Sequence, residues 1–338
     1  MQTARDRFMK EMASGGEGLV RSHISVTFPV WEQFGDQLDW LGDFSEHVAV
    51  GIRRISDRPA NSEVVDRWGC HWTYPLEALD GICDGHPLAE WSRLTSTTFP
   101  DPAAYTDWEA AAERVEQVKR RGGVASGGTE HGFFFLRMTY LRGFENFLMD
   151  VADSAPRLQE LIRVVEEYWL GVVRRWVDIG VDIINFGDDL GLQYALPMSP
   201  EHWRKIIKPT YRRLFGYCRE HGVSVGLHSD GYIVDIIPDL LECGVSVLNP
   251  QDLVNGLDAL SREAKGKAFL RLDVDRQAVT VLGTPEEVDT HILACIRTLG
   301  SPQGGLGLIW GVYPGTPLAN IESAARAMDR YATHWCGR

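Results

Sequence analysis

Two short apolar runs in this chain stop at groups that can do chemistry. Asp182-Ile-Ile-Asn-Phe-Gly-Asp-Asp-Leu-Gly191 ends in paired aspartates, and Gly222-Val-Ser-Val-Gly-Leu-His-Ser-Asp-Gly231 ends in an imidazole with a carboxylate two positions on. His228 carries the side chain whose charge changes near neutral pH and which also binds zinc. Acid–base and metal roles are both open to it, beside the plainer one of a buried histidine satisfied by a neighbour. Asp188 and Asp189 are adjacent, so in an extended chain they point to opposite sides and only one of them faces a given pocket. The plainer alternative is that one caps the next turn while the other is solvated.

Three weaker groups follow. Arg271-Leu-Asp-Val-Asp-Arg276 places two acids and two bases at the end of another apolar run, as a substrate-holding group or a salt-bridged loop. Asp66-Arg-Trp-Gly-Cys-His-Trp72 mixes aromatic surface with possible ligands and suits a pocket wall better than a reactive centre. Arg142-Gly-Phe-Glu145 lies at a helix start, with Glu145 turned either inward or to the surface.

The elements that must position these groups alternate between strand and helix from about residue 130. Strands are expected at Phe133–Leu136, 182–186, 223–227, 245–248, 268–272 and 306–310. Helices are expected at 141–151, 158–179, 199–220, 233–241, near Leu257, at 284–299 and at 318–331. Ser199-Pro-Glu-His202 and Thr284-Pro-Glu-Glu287 each have a hydroxyl cap, proline at the first helical position and an acid in the first turn. Such alternation calls for a parallel sheet, whose strand ends bring side chains to one pocket.

The fold class expected is therefore α/β, a (β/α)8 TIM barrel with extra amino-terminal segments. The whole chain, 1–338, is expected as one barrel domain, with residues 1–60 an extension packed on it. Within the amino-terminal part, 8–12 and 105–120 look helical and 24–28 and 48–52 look like strands. Gly122-Gly-Val-Ala-Ser-Gly-Gly128 lacks both the Lys-Ser/Thr of a phosphate loop and the GxGxxG spacing, and is expected to be a plain loop.

Composition narrows the classes. The 338 residues are 44% hydrophobic and 24% charged, which suits a globular enzyme with a large core. A net charge of -13, without a basic run, opposes binding to nucleic acid or anionic membranes. Six scattered cysteines without a CxxC pair, a charged amino terminus and no long apolar stretch point to a cytoplasmic protein with reduced thiols.

Gly187-Asp-Asp-Leu-Gly191, His228-Ser-Asp-Gly231, Gly244-Val-Ser-Val-Leu-Asn-Pro-Gln251, Asp273 and Gly283-Thr-Pro-Glu-Glu-Val288 together resemble the uroporphyrinogen decarboxylase superfamily, over about residues 60 to 330. The resemblance implies a (β/α)8 barrel and two branches of activity. One is cofactor-free porphyrinogen decarboxylation. The other is zinc-dependent methyl transfer involving corrinoid proteins. Trp310 stands where the decarboxylases have a histidine on the last strand, and their amino-terminal arginine motif has no counterpart. Against the His-x-Cys zinc pair of the thiol methyltransferases, His228 is kept, Asp230 replaces the cysteine, and 311–313 offers no third thiol. The His-x-Asp-Gly form is closer to members acting on methoxylated or methylamine-type compounds.

What the resemblance implies is a metal-assisted methyltransferase or demethylase for a small molecule, with a corrinoid protein as methyl acceptor. The alternative is a metal-free lyase acting on a substrate other than a porphyrinogen. His228, Asp188 and Asp230 are the expected catalytic residues, with His228 and Asp230 as zinc ligands. Trp68, Asp189, Gln251, Asp273, Arg271, Trp310 and Tyr313 are expected at the substrate, where Trp72 and Phe186 add apolar surface. A homodimer is the expected assembly.

Overall fold

The computed structural model describes residues 3–12 and 16–337. Its strands are β1 (Arg21–Thr27), β2 (Val48–Arg53), β3 (Ser62–Val65), β4 (His71–Tyr74), β5 (Ile82–Gly85), β6 (Ser126–His131), β7 (Ile183–Gly187), β8 (Ser224–Ser229), β9 (Val247–Pro250), β10 (Phe269–Asp273) and β11 (Leu306–Val312). Eight of them form a parallel sheet in the order β2-β1-β11-β10-β9-β8-β7-β6, and β3, β4 and β5 form a second, small sheet. Parallel neighbours need crossover connections, and helices supply them, so the chain has the α/β architecture of the (β/α)8-barrel class. Among the described residues no helix is long and apolar enough to cross a membrane.

The chain divides into two compact units. The first comprises Met1–Met9, Glu63–Thr73 and Ile82–Val247, and the second Lys10–Ser62, Tyr74–Gly81 and Leu248–Arg338. In the first unit β6, β7 and β8 run side by side, with Gly128 opposite Asn185, His131 opposite Gly187, and Gly187 opposite His228. That register sets His131, Gly187 and His228 at one level, at the carboxyl ends of three neighbouring strands. Ile183, Ile184, Val225 and Leu227 are buried along them, as expected of strands covered on both faces.

β6 lies where a plain loop was expected. Its sequence, Ser-Gly-Gly-Thr-Glu-His, has no apolar side chain, and at its two glycines the neighbours leave little room for one. A Cβ at Gly127 would come 2.5 Å from the Trp176 ring, and the Trp176 indole donates to the Gly128 carbonyl over 2.9 Å. The long helix Pro156–Ile179 thereby seats directly on β6. Conversely, Phe133–Leu136 is not a strand: Phe135 and Leu136 begin a helix, Phe135–Arg142, and Phe133 is buried against Phe186 and Tyr211. Unbroken apolarity there reflects burial on all sides, which strands and buried helix starts share.

Two helices expected as continuous are each split. Gly143, at φ +84, separates Phe135–Arg142 from Phe144–Ala152. The Ser199-capped helix ends at Ile206 and a new one begins at Lys208, whose second residue, Pro209, cannot donate to an earlier turn.

In the second unit β1 pairs with β2 and β11, and β10 with β11, all in parallel. The amino-terminal stretch thus supplies two strands of the sheet, β1 and β2, at the two places where strands were expected in it. Helix Pro285–Leu299 opens with the anticipated capping box: Thr284 Oγ1 accepts from Glu287 N, and Thr284 N donates to Glu287 Oε2 at 2.7 Å.

Candidate functional site

In the first unit, Asp189 lies between two imidazoles. Its Oδ1 is 3.2 Å from His131 Nε2 and 3.8 Å from His228 Nε2, and it accepts a hydrogen bond from Asp230 N at 3.0 Å. Asp230 Oδ1 is 3.3 Å from His228 Nε2. One nitrogen from each histidine and one oxygen of Asp189 all lie within 4.8 Å of one another. A carboxylate flanked by imidazoles at strand ends can hold a divalent metal or pass a proton.

Local backbone geometry builds this cluster. A Cβ at Gly187 would come 2.8 Å from His131 Cδ2, so glycine there lets the ring lie across β7. The loops after β7 and β8 cross in backbone contact. Tyr232 N donates to Leu192 O, and a Cβ at Gly231, which sits at φ +81, would lie 2.1 Å from Gly191 O. Ser229 Oγ accepts from Leu190 N and donates to Asp230 O, tying the two loops again.

Asp188 points the other way and is fully buried. Its Oδ2 accepts from Phe135 N at 2.5 Å and from the Tyr211 hydroxyl at 2.7 Å, and its Oδ1 accepts from Leu136 N at 2.9 Å. It therefore caps helix Phe135–Arg142, whose own N-cap residue makes no side-chain bond. Burial pushes its carboxyl up to about 6, although the three donors act in the opposite sense. For His131, desolvation favours the neutral ring, but the hydrogen bond and charge of Asp189 outweigh it and raise the pKa.

The other expected residues fall in several places. Trp68 is 1% exposed and donates its indole N–H to Glu130, inside an aromatic group with Tyr168 and Trp169, so it is a core residue instead of a pocket wall. Glu145 is exposed. Gln251, Asp273, Arg271, Trp310 and Tyr313 belong to the second unit. There Asp273 is buried and paired with Arg276 at 2.8 Å, and the Arg276 guanidinium lies over the Tyr313 ring. Gln251 bridges to Asp273, and Arg271 is half-buried, with desolvation lowering its pKa. Trp310 is buried and donates to the Asp275 carbonyl.

His131 is the site residue that sequence reasoning missed. Its signal was present in Gly127-Gly128-Thr129-Glu130-His131, an imidazole closing a glycine-rich segment, but that strand has no apolar alternation to mark it.

The uroporphyrinogen decarboxylase (URO-D) family matches residues 85–331. No curated protein matches the sequence. Among solved structures, a methyltransferase from Methanosarcina mazei superposes with a TM-score of 0.67 at 15% identity, over 98% of this chain and 99% of that one. A D-psicose 3-epimerase superposes less well, with a TM-score of 0.39 at 9% identity over 69% of this chain and 86% of that one. The likeness to the methyltransferase is one of fold.

Proposed function

Because the chain belongs to the uroporphyrinogen decarboxylase family, we propose that it is a metal-assisted methyltransferase or demethylase, taking a methyl group from a small molecule and delivering it to a corrinoid on a partner protein. The observation that carries this reading is the convergence of His131, Asp189 and His228. Two imidazoles and a carboxylate are a donor set that zinc accepts, so the residues fit the metal. Asp189 takes the ligand place first given to Asp230. Asp230 remains beside His228 and holds Asp189 through its backbone N–H.

A zinc ion held there supplies Lewis acidity at the oxygen or nitrogen from which the methyl group departs. The protein's own groups do the rest. Asp189 Oδ1 holds His131 by a hydrogen bond and lies 3.8 Å from His228, and the crossed glycine loops keep that oxygen in place. The proton that Asp189 stabilises on His131 must leave before the ring can ligate, so metal uptake weakens as pH falls.

The alternative, a metal-free lyase, draws on that same upward shift, which favours the protonated form of His131 as a proton donor. Elemental analysis after purification with zinc supplied separates the two. The zinc content is expected to fall by about one per chain in His228→Ala and in His131→Ala, and the wild type to methylate cob(I)alamin from methoxylated or methylamine-type compounds. A zinc content that neither substitution changes, with no methylation by the wild type, would discard the methyl-transfer reading in favour of the lyase.

A further inference from the structure

We propose that the second unit carries a divalent-metal site of its own, formed by Asp252 Oδ2, His291 Nε2 and Cys295 Sγ and suited to a borderline-soft ion such as zinc. Cys295 Sγ lies 3.7 Å from His291 Nε2 and 3.8 Å from Asp252 Oδ2, and those two atoms are 2.6 Å apart. Around a tetrahedral zinc, sulfur sits about 3.6 Å from a nitrogen or oxygen ligand, and nitrogen about 3.4 Å from oxygen. The sulfur is already at ligand spacing. The nitrogen and oxygen are drawn together by a hydrogen bond and separate once its proton leaves.

His291 and Cys295 are four apart on helix Pro285–Leu299 and so share one face of it. Asp252 opens the short helix after β9, and its orientation is fixed independently of the other two: Oδ1 accepts from Leu253 N at 2.5 Å and Oδ2 from Asp275 N at 3.1 Å. Such outer bonds aim a ligand. Asp252 and Cys295 are fully buried, and carboxylate plus thiolate balance a dipositive ion, with the thiol and imidazole protons passing to solvent. A Cys–His–Asp catalytic relay does not fit, because a relay uses the two ring nitrogens separately, whereas here Nε2 alone meets both partners.

Within the same unit His291 also lines an open surface pocket of about 660 Å³ with Val279, Leu282, Thr290 and Ala294, so one of the three ligands borders solvent-accessible space.

The test is titration of chelator-stripped, full-length protein with Co2+, read by thiolate-to-cobalt charge-transfer absorption in the near ultraviolet. The site formed by His131, Asp189 and His228 has no thiolate and cannot give this band. One equivalent of the band is expected in the wild type and in His228→Ala, and its loss in Cys295→Ser and in the nearly isosteric Asp252→Asn, with circular dichroism reporting that each variant is folded. Absence of the band from the wild type in excess Co2+ would overturn the proposal whatever the variants do, as would its survival in Cys295→Ser.

Discussion

Two neighbouring aspartates do different work because one is buried and the other is not. Asp189 meets the histidines, whereas Asp188 spends its oxygens on two backbone N–H groups and the Tyr211 hydroxyl. Sequence alone marks both as chemical and cannot choose between them, since the choice depends on which face of the β7 end meets helix Phe135–Arg142. The electrostatic consequence is testable. With a folded pKa of about 6 against an ordinary 3.8, Asp188 holds its proton more tightly in the folded than in the unfolded chain. Its contribution to stability is therefore present below about pH 4 and is lost as pH rises to about 6, by on the order of 3 kcal/mol at 1.36 kcal/mol per unit. Asp188→Asn cannot titrate. Urea midpoints measured from pH 4 to 7 should show the variant gaining on the wild type by up to that amount across the window, and a constant difference would contradict the assignment.

At the scale of elements, the site depends on two loops crossing without side chains between them. Gly231→Ala combines a positive φ with a Cβ 2.1 Å from a carbonyl oxygen, so the loops must part and carry Asp189 and Asp230 with them. A loss of about 2 kcal/mol or more in stability, with about one metal equivalent fewer retained, is the expected result. Gly216 sits inside helix Lys208–Glu220 with nothing near its missing Cβ, so Gly216→Ala should instead stabilise by about 0.5–1 kcal/mol. Thermal melts of the two variants with elemental analysis check both signs. The same loops explain what could be read beforehand. β7 and β8 are apolar runs that end in polar clusters, and the capping box at Thr284 is local chemistry, so all three were legible. β6 was not, because close packing of Trp176 on Gly127 and of Asn185 on Gly128 favours glycine there and leaves no apolar alternation, and with that strand His131 was lost from view. The burial of Trp68 and Trp310 was equally hidden, since an aromatic residue reads the same whether it lines a pocket or fills a core.

For the whole molecule, strand–helix alternation and family motifs together specify the barrel class, but a barrel accommodates many reactions and leaves the reaction to its strand ends. Membership in the uroporphyrinogen decarboxylase family therefore does not make porphyrinogen the substrate. A ring bearing many carboxylates needs several unengaged cations, and this chain has a net charge of -13 and lacks the arginine motif that such decarboxylases use. Of the cations expected at the substrate, Arg271 is half-buried in a setting that disfavours its charge. Arg276 is committed to Asp273. Trp310, in place of the decarboxylases' histidine, is buried and hydrogen-bonded to a backbone carbonyl, so it offers no proton. Incubation with uroporphyrinogen, followed by chromatographic separation of the oxidised porphyrins, should return the substrate with all its carboxylates. Stepwise loss of carbon dioxide above the uncatalysed rate would mean that anion binding is achieved by groups other than these, and would move the assignment back to the decarboxylase branch.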